Sequence, residues 1–138
     1  MKIALIGSMN FIDEMNDIKQ ELIKLGHDAF FTSLADNIIG KDVKEKERIK
    51  LENKYYHDAI KTFWNEMQKA DAVLVCNWDK NGIKNYIGGN TLMEIGFAYI
   101  LEQKIFLLNP IPDMDYLKTE VEAINPFILC GDLWKIPT

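Results

Sequence analysis

In the stretch YIGGNTLMEIGFAYIL (residues 86–101) two adjacent glycines lead into a run that is apolar or small nearly throughout, and Glu94 is its only carboxylate. Two kinds of chemistry suit a lone glutamate there. It can react, as a nucleophile or an acid–base group. It can also close a T-x-x-E capping box, in which Thr91 bonds the amide of the third helical residue and Glu94 reaches back to the Thr91 amide. The cap would contribute about 1 kcal/mol, and the helix macrodipole favours a carboxylate in the first turn. On spacing alone the cap is the simpler reading. Yet a cap works equally well on an exposed helix, whereas Leu92, Met93, Ile95, Phe97, Ala98, Tyr99, Ile100 and Leu101 make this helix apolar nearly all round. Such a helix is largely buried, and Gly88-Gly89 before it implies close approach of backbone to something else.

Other residues with chemical potential fall at the ends of apolar runs. Ser8 follows KIALIG, Asn77, Trp78 and Asp79 follow DAVLVC, and Gly88, Gly89, Asn90 and Thr91 open the helix that carries Glu94. Phe11, Trp78 and Tyr86 offer flat faces nearby, and stacking of a base on such a face is worth about 1–3 kcal/mol. Together they describe a pocket for a polar ligand with a flat part, such as a nucleoside. Asp79 has two readings of equal weight, an acid–base group or the first residue of a D-K-N-G turn. The segment GSMNFI has neither the G-x-G-x-x-G fingerprint nor the G-x-x-x-x-G-K-[ST] phosphate loop. It also lacks a flavodoxin's Ser/Thr-rich loop and a receiver domain's acidic cluster. His27 and His57 are isolated from each other and from cysteine, so neither a metal nor another cofactor is expected.

The elements that must position these residues follow from periodicity. KIALIG (2–7), HDAFFTS (27–33), DAVLVCNW (71–78), KIFLLN (104–109) and PFILC (126–130) read as strands, and continuous apolar runs suit a parallel sheet buried on both faces. Met15, Ile18, Leu22 and Leu25 recur at helical spacing and stop at Gly26. Further helices are expected over Thr91–Glu102 and roughly Asp113–Ile124. KDVKEKERIKLENK (41–54) carries ten charges in fourteen residues and continues into a helical pattern with Ile60, Phe63, Trp64 and Met67. It reads as one long solvated helix whose latter half docks on the sheet, with a mobile lid or a dimer-forming arm as the alternative. Strands alternating with helices imply right-handed crossovers. The expected fold is α/β: a flavodoxin-like three-layer arrangement with a five-stranded parallel sheet in the order 2-1-3-4-5. Ligands then bind beyond the carboxyl ends of the strands, where the order reverses between the first and third.

The chain of 138 residues fits a single domain. A net charge of −5 gives no electrostatic footprint for nucleic acid. Nothing approaches a membrane span or a signal peptide, and a cytoplasmic location is expected. Cys76 and Cys130 lie in apolar segments without a C-x-x-C pair and read as buried small hydrophobes in a reducing compartment.

Met93-Glu94-Ile95-Gly96-Phe97-Ala98, after a glycine loop and a strand DAVLVCN and before Lys104-Ile105, resembles the nucleoside 2-deoxyribosyltransferase family; KIALIGS is similar to its first strand and ligand loop. The resemblance runs from Lys2 to about Pro110. It implies that Glu94 is the nucleophile that attacks C1′ of a nucleoside or nucleotide, expels the base and forms a covalent glycosyl-enzyme. A second base then takes the sugar, or water does. The logic is that of a retaining glycosidase. The family's helix aspartate falls here on Phe63, which leaves Asp79 as the candidate acid–base group. The family's nucleotide hydrolases read a 5′-phosphate with serines, for which Ser8 and Thr91 are the candidates. The resemblance also implies a homo-oligomer, with YYHDAIKTFW (55–64) as one candidate interface. A non-catalytic nucleotide-binding or sensing module on the same fold is the alternative.

Overall fold

The computed structural model describes residues 1–138. Strands β1 (Lys2–Ile6), β2 (Asp28–Phe30), β3 (Ala72–Val75), β4 (Lys104–Leu107) and β5 (Phe127–Ile128) alternate with helices. All pair in parallel, in the order β2-β1-β3-β4-β5. This is the doubly wound, flavodoxin-like order expected from the sequence, with its reversal between β1 and β3. Side chains of a strand alternate between faces, so β1 sends Ile3 and Leu5 into one core and Ala4 and Ile6 into the other. Both cores are apolar, which is why β1, β3 and β4 read as unbroken apolar runs rather than as alternations.

Helix α1 (Ile12–Lys24) packs Ile12, Met15 and Leu22 on the first face. It ends in a Schellman turn: the His27 amide donates to Leu22 O and the Gly26 amide to Ile23 O. Gly26 takes φ +93°, a conformation a side chain would strain. On the other face lie α3 (Ala59–Met67), α4 (Gly89–Ile100) and α5 (Lys118–Ile124), through Phe63, Met67, Ile95, Ala98 and Val121.

The charged segment departs from the expected single helix. α2 (Val43–Tyr56) and α3 are separate, broken at His57-Asp58, where Asp58 adopts left-handed φ 47° and its carboxylate caps α3 by accepting from the Lys61 amide at 3.4 Å. Nor is α2 simply solvated. Ile49 joins the first core, and Asn53 Nδ2 donates to Leu34 O at 3.1 Å. Lys46 is buried, its Nζ 2.7 Å from Asp13 Oδ2 and within 3.4 Å of Asn10 O. The Lys46 ammonium, helped by the Gly40 amide, holds the Asp13 carboxyl below its ordinary range. α2 is thus pinned along one face over the carboxyl edge of β1 and β2.

Two smaller expectations are corrected. Cys76 is buried, but Cys130 is exposed, in a turn where it takes φ 50° as the chain leaves β5. The last helix begins only at Lys118, so its expected first part from Asp113 is not helical. No helix is long and apolar enough to cross a membrane.

Candidate functional site

A cavity of about 200 Å³ opens at the carboxyl edge of the sheet, beside the end of β1 where the strand order reverses. Ser8, Tyr86, Gly88, Gly89, Asn90, Thr91 and Glu94 all line it, so the structure brings together most of the residues singled out in the sequence.

Glu94 is not where a capping glutamate would be. α4 begins at Gly89, with Gly88 in an extended N-cap conformation, no side-chain cap and no acidic residue in the first turn. The helix therefore starts two residues before Thr91, and the capping box does not form: Thr91 is inside the helix and buried, and Glu94 sits in the second turn. Both glycines and Asn90 were expected as loop. Gly89 and Asn90 are instead helical, after the extended Gly88, against which Tyr86 packs; a Cβ at Gly88 would lie 3.3 Å from the Tyr86 ring.

The Glu94 carboxyl is enclosed by the cavity wall, which includes Phe63, Ala59, Leu5 and Ile6. Burial pushes its pKa up to about 8, and no neighbouring charge offsets the shift. Part of the residue's surface remains open, through the cavity itself. A carboxyl in that state is reachable by a ligand yet poorly solvated, which is the usual environment of a functional carboxylate.

Phe63, the position onto which the family's helix aspartate falls by resemblance, lies on the cavity wall. Glu94 is the only acidic side chain of the lining. Three ammonium groups line it as well, and sequence reading missed all three: Lys50 and Lys54 from α2, and Lys80 from the loop after β3. Lys80 Nζ donates to Ser8 Oγ at 2.9 Å and lies 5.4 Å from the Tyr86 ring centroid. Burial, and then the Lys50 charge, lower its pKa, with Glu47 partly opposing. Ser8 also caps the 3-10 turn Met9–Phe11, its Oγ accepting from the Asn10 amide at 3.4 Å.

Four candidates lie elsewhere. Asp79 is exposed and outside the lining; its Oδ1 accepts from the Asn85 amide at 2.9 Å and holds the turn that follows β3. This geometry matches its turn reading. Asp79→Asn keeps that acceptor, so turnover and stability should stay within about twofold of the parent in any activity assay; a tenfold loss would return Asp79 to the chemistry.

Asn77 is completely buried and spent on structure. Its Nδ2 donates to Asn109 O at 2.9 Å and Pro110 O at 3.1 Å, its Oδ1 accepts from the Asn109 amide at 2.9 Å, and Asn109 Nδ2 returns a bond to Asn77 O. This clasp fixes the ends of β3 and β4. Asn77→Ala removes three hydrogen bonds to the backbone of Asn109 and Pro110 and should cost roughly 2–4 kcal/mol, read from urea unfolding. Phe11 and Trp78 pack edge-to-face on each other, centroids 5.4 Å apart, against the core on the α1 side. Only Tyr86 of the three aromatics faces the cavity.

No family model matches the chain, and no curated sequence does. Among solved structures, the Clostridium botulinum CMP N-glycosidase BcmB is similar in chain path, at 15% identity and a TM-score of 0.46, over 93% of this chain and 85% of that one.

Proposed function

We propose that the cavity cleaves the N-glycosidic bond of a nucleoside or nucleoside 5′-monophosphate, with Glu94 as nucleophile. The observation that carries this reading is the Glu94 carboxyl itself: the one acid of the lining, free of any capping role and pushed to about 8 by burial. The segment around it, Met93–Ala98, resembles that of the nucleoside 2-deoxyribosyltransferases, and the carboxyl-edge position is where ligands of this fold bind.

The chemistry follows from the burial. A desolvated carboxylate is unfavourable in the resting site and is relieved by positive charge developing at C1′ in the oxocarbenium-like transition state. Its interaction therefore strengthens as the reaction proceeds, which is what lowers a barrier. The Glu94 oxygen forms a bond to C1′ as the C1′–N bond breaks, and the base leaves with that electron pair. Water or a second base then attacks C1′ and releases Glu94. With no second carboxyl in the lining, the proton for the departing base comes from another group; the Tyr86 hydroxyl and the lysines are the protonated side chains there.

The test is a base-release assay on ribo- and deoxynucleosides and their 5′-monophosphates, with and without a second free base. Free base or exchanged nucleoside is expected, and the requirement for a second base separates transfer from hydrolysis. One observation favours a second reading, a non-catalytic nucleotide-binding module: apolar Phe63 stands on the wall where the family pattern has its aspartate. Ligand binding without base release across the panel would establish that reading instead.

A further inference from the structure

We propose that Lys80 protonates the departing base, in the place of the second carboxylic acid that this cavity lacks. This deepens the function proposed above and rests on it for the reaction. Two features single out Lys80 among the protonated side chains of the lining: it is firmly held, and its protons are largely unspent.

The hold begins in the backbone. The Lys80 amide donates to Ile83 O at 3.0 Å, and the Ile83 amide returns a bond to Lys80 O at 2.9 Å. Between them Asn81 and Gly82 take φ 55° and 73°, the left-handed pair that an Asn-Gly turn adopts at low cost. Two more bonds fasten the base of this turn. The Tyr86 amide donates to Trp78 O at 2.9 Å, and the Asn85 amide to Asp79 Oδ1 at 2.9 Å. The side chain is fixed as well, because Nζ donates to Ser8 Oγ at 2.9 Å and lies 5.4 Å from the Tyr86 ring centroid. That ring is the one aromatic face of the cavity, and it packs on Gly88, the N-cap of the helix that carries Glu94. A base lodged against Tyr86 therefore has the Lys80 ammonium within reach of its edge.

The protons are available. Lys80 is in no salt bridge, and only one of its three N–H groups has a protein acceptor. Lys50, by contrast, pairs with Glu47 at 3.0 Å, and Lys54 is exposed. Burial, and then the Lys50 charge, bring the Lys80 ammonium closer to giving up a proton. As the C1′–N bond breaks, its electron pair passes to the base, which takes a proton from Nζ at a ring nitrogen or a carbonyl oxygen. Glu94 becomes an ester and Lys80 a neutral amine, so the step leaves neither ion in the cavity. The amine then takes the proton of the attacking water, or of the second base, as the Glu94 carboxylate is released.

The test compares an ordinary base with one that departs without a proton. The pairs are guanosine with 7-methylguanosine, whose purine already carries positive charge, and uridine with 5-nitrouridine, whose base leaves as a stable anion. Each is used in the sugar and phosphate form that the unaltered protein cleaves. Lys80→Met should slow release of the ordinary base about 10²–10³-fold and keep release of the activated base within about threefold of the parent. Lys80→Arg keeps the charge but holds its proton, and should lose as much on the ordinary base. The readout is a ratio within each variant, so a smaller folded fraction does not alter it. Equal loss on both members, full activity in Lys80→Arg, or a selective loss in Tyr86→Phe in place of Lys80→Met would overturn the assignment. So would release of activated bases alone by the unaltered protein. The two proposals fail separately. Equal loss on both members removes Lys80 from the proton transfer and leaves the Glu94 reading standing. No release of any base by the unaltered protein removes the N-glycosidic reading, and the role of Lys80 with it.

Discussion

Glu94→Gln should lose on the order of 10⁴-fold in base release and yet be the more stable protein above neutral pH. The two effects have one cause. Gln cannot attack C1′, and Gln cannot ionise. Folding raises the Glu94 pKa from 4.5 to about 8. Between those values the native state holds a proton that the unfolded chain has released, so stability falls as pH rises through this window and levels off above it. At pH 5 the penalty is small, and the two proteins should unfold at nearly the same urea concentration. At pH 8.5 the parent carries the cost of a poorly solvated carboxylate, and the variant should exceed it by roughly 3 kcal/mol. A glutamate kept for capping would give the opposite sign: the variant would be less stable at both pH values and would keep its activity. Urea titrations at the two pH values, run beside the base-release assay, distinguish the two roles.

The second large effect is on the pH dependence of base release by the unaltered protein. As nucleophile, Glu94 acts ionised, and a carboxyl near 8 is only about a tenth ionised at pH 7. With a nucleoside substrate kcat/KM should rise about tenfold per pH unit from pH 5.5 to 7.5 and level off near 8, because kcat/KM reports the free enzyme. A nucleotide adds its own second phosphate ionisation near pH 6, which makes the nucleoside the cleaner probe. Lys80 titrates below its ordinary range, so a descending limb at high pH should appear and should be lost in Lys80→Met. A nucleoside profile that instead falls through pH 8 would mean that Glu94 works protonated, as an acid toward the base. That result would end the nucleophile assignment while keeping Glu94 in the site.

The parts of this molecule legible in its sequence are those set by periodicity. β1, β3 and β4 are apolar on both faces because both faces are covered, and their alternation with helices leaves few topologies. What escaped were features in which polar residues do the work of apolar ones. Lys46, Ile49 and Asn53 sit at the spacing of a buried helical stripe and form the buried face of α2, but only one of them is apolar, so the segment reads as solvated. Lys50 and Lys54, beside that stripe, face the cavity for the same reason. The break between α2 and α3 had a local signal, Asp58 as an N-cap, that the surrounding charge density masked. The T-x-x-E pattern misled because Gly88, not Thr91, takes the extended conformation from which α4 starts. Trp78 and Phe11 stand at the correct edge, but their mutual packing commits them to the α1 side, a partnership that no local pattern encodes.

That same interruption at His57-Asp58 separates two tasks along the chain. The carboxyl that would react is held by α4, which packs on β3 and β4, whereas two of the three lysines belong to a helix hung on the edge by Lys46 and Asn53. On the proposed function, substitutions in α2 would change which ligand is admitted without moving the Glu94 carboxyl. On that reading, relatives of this protein would share one reaction and differ in the ligand they accept through residues 43–56, the part of the chain that looks least like a site.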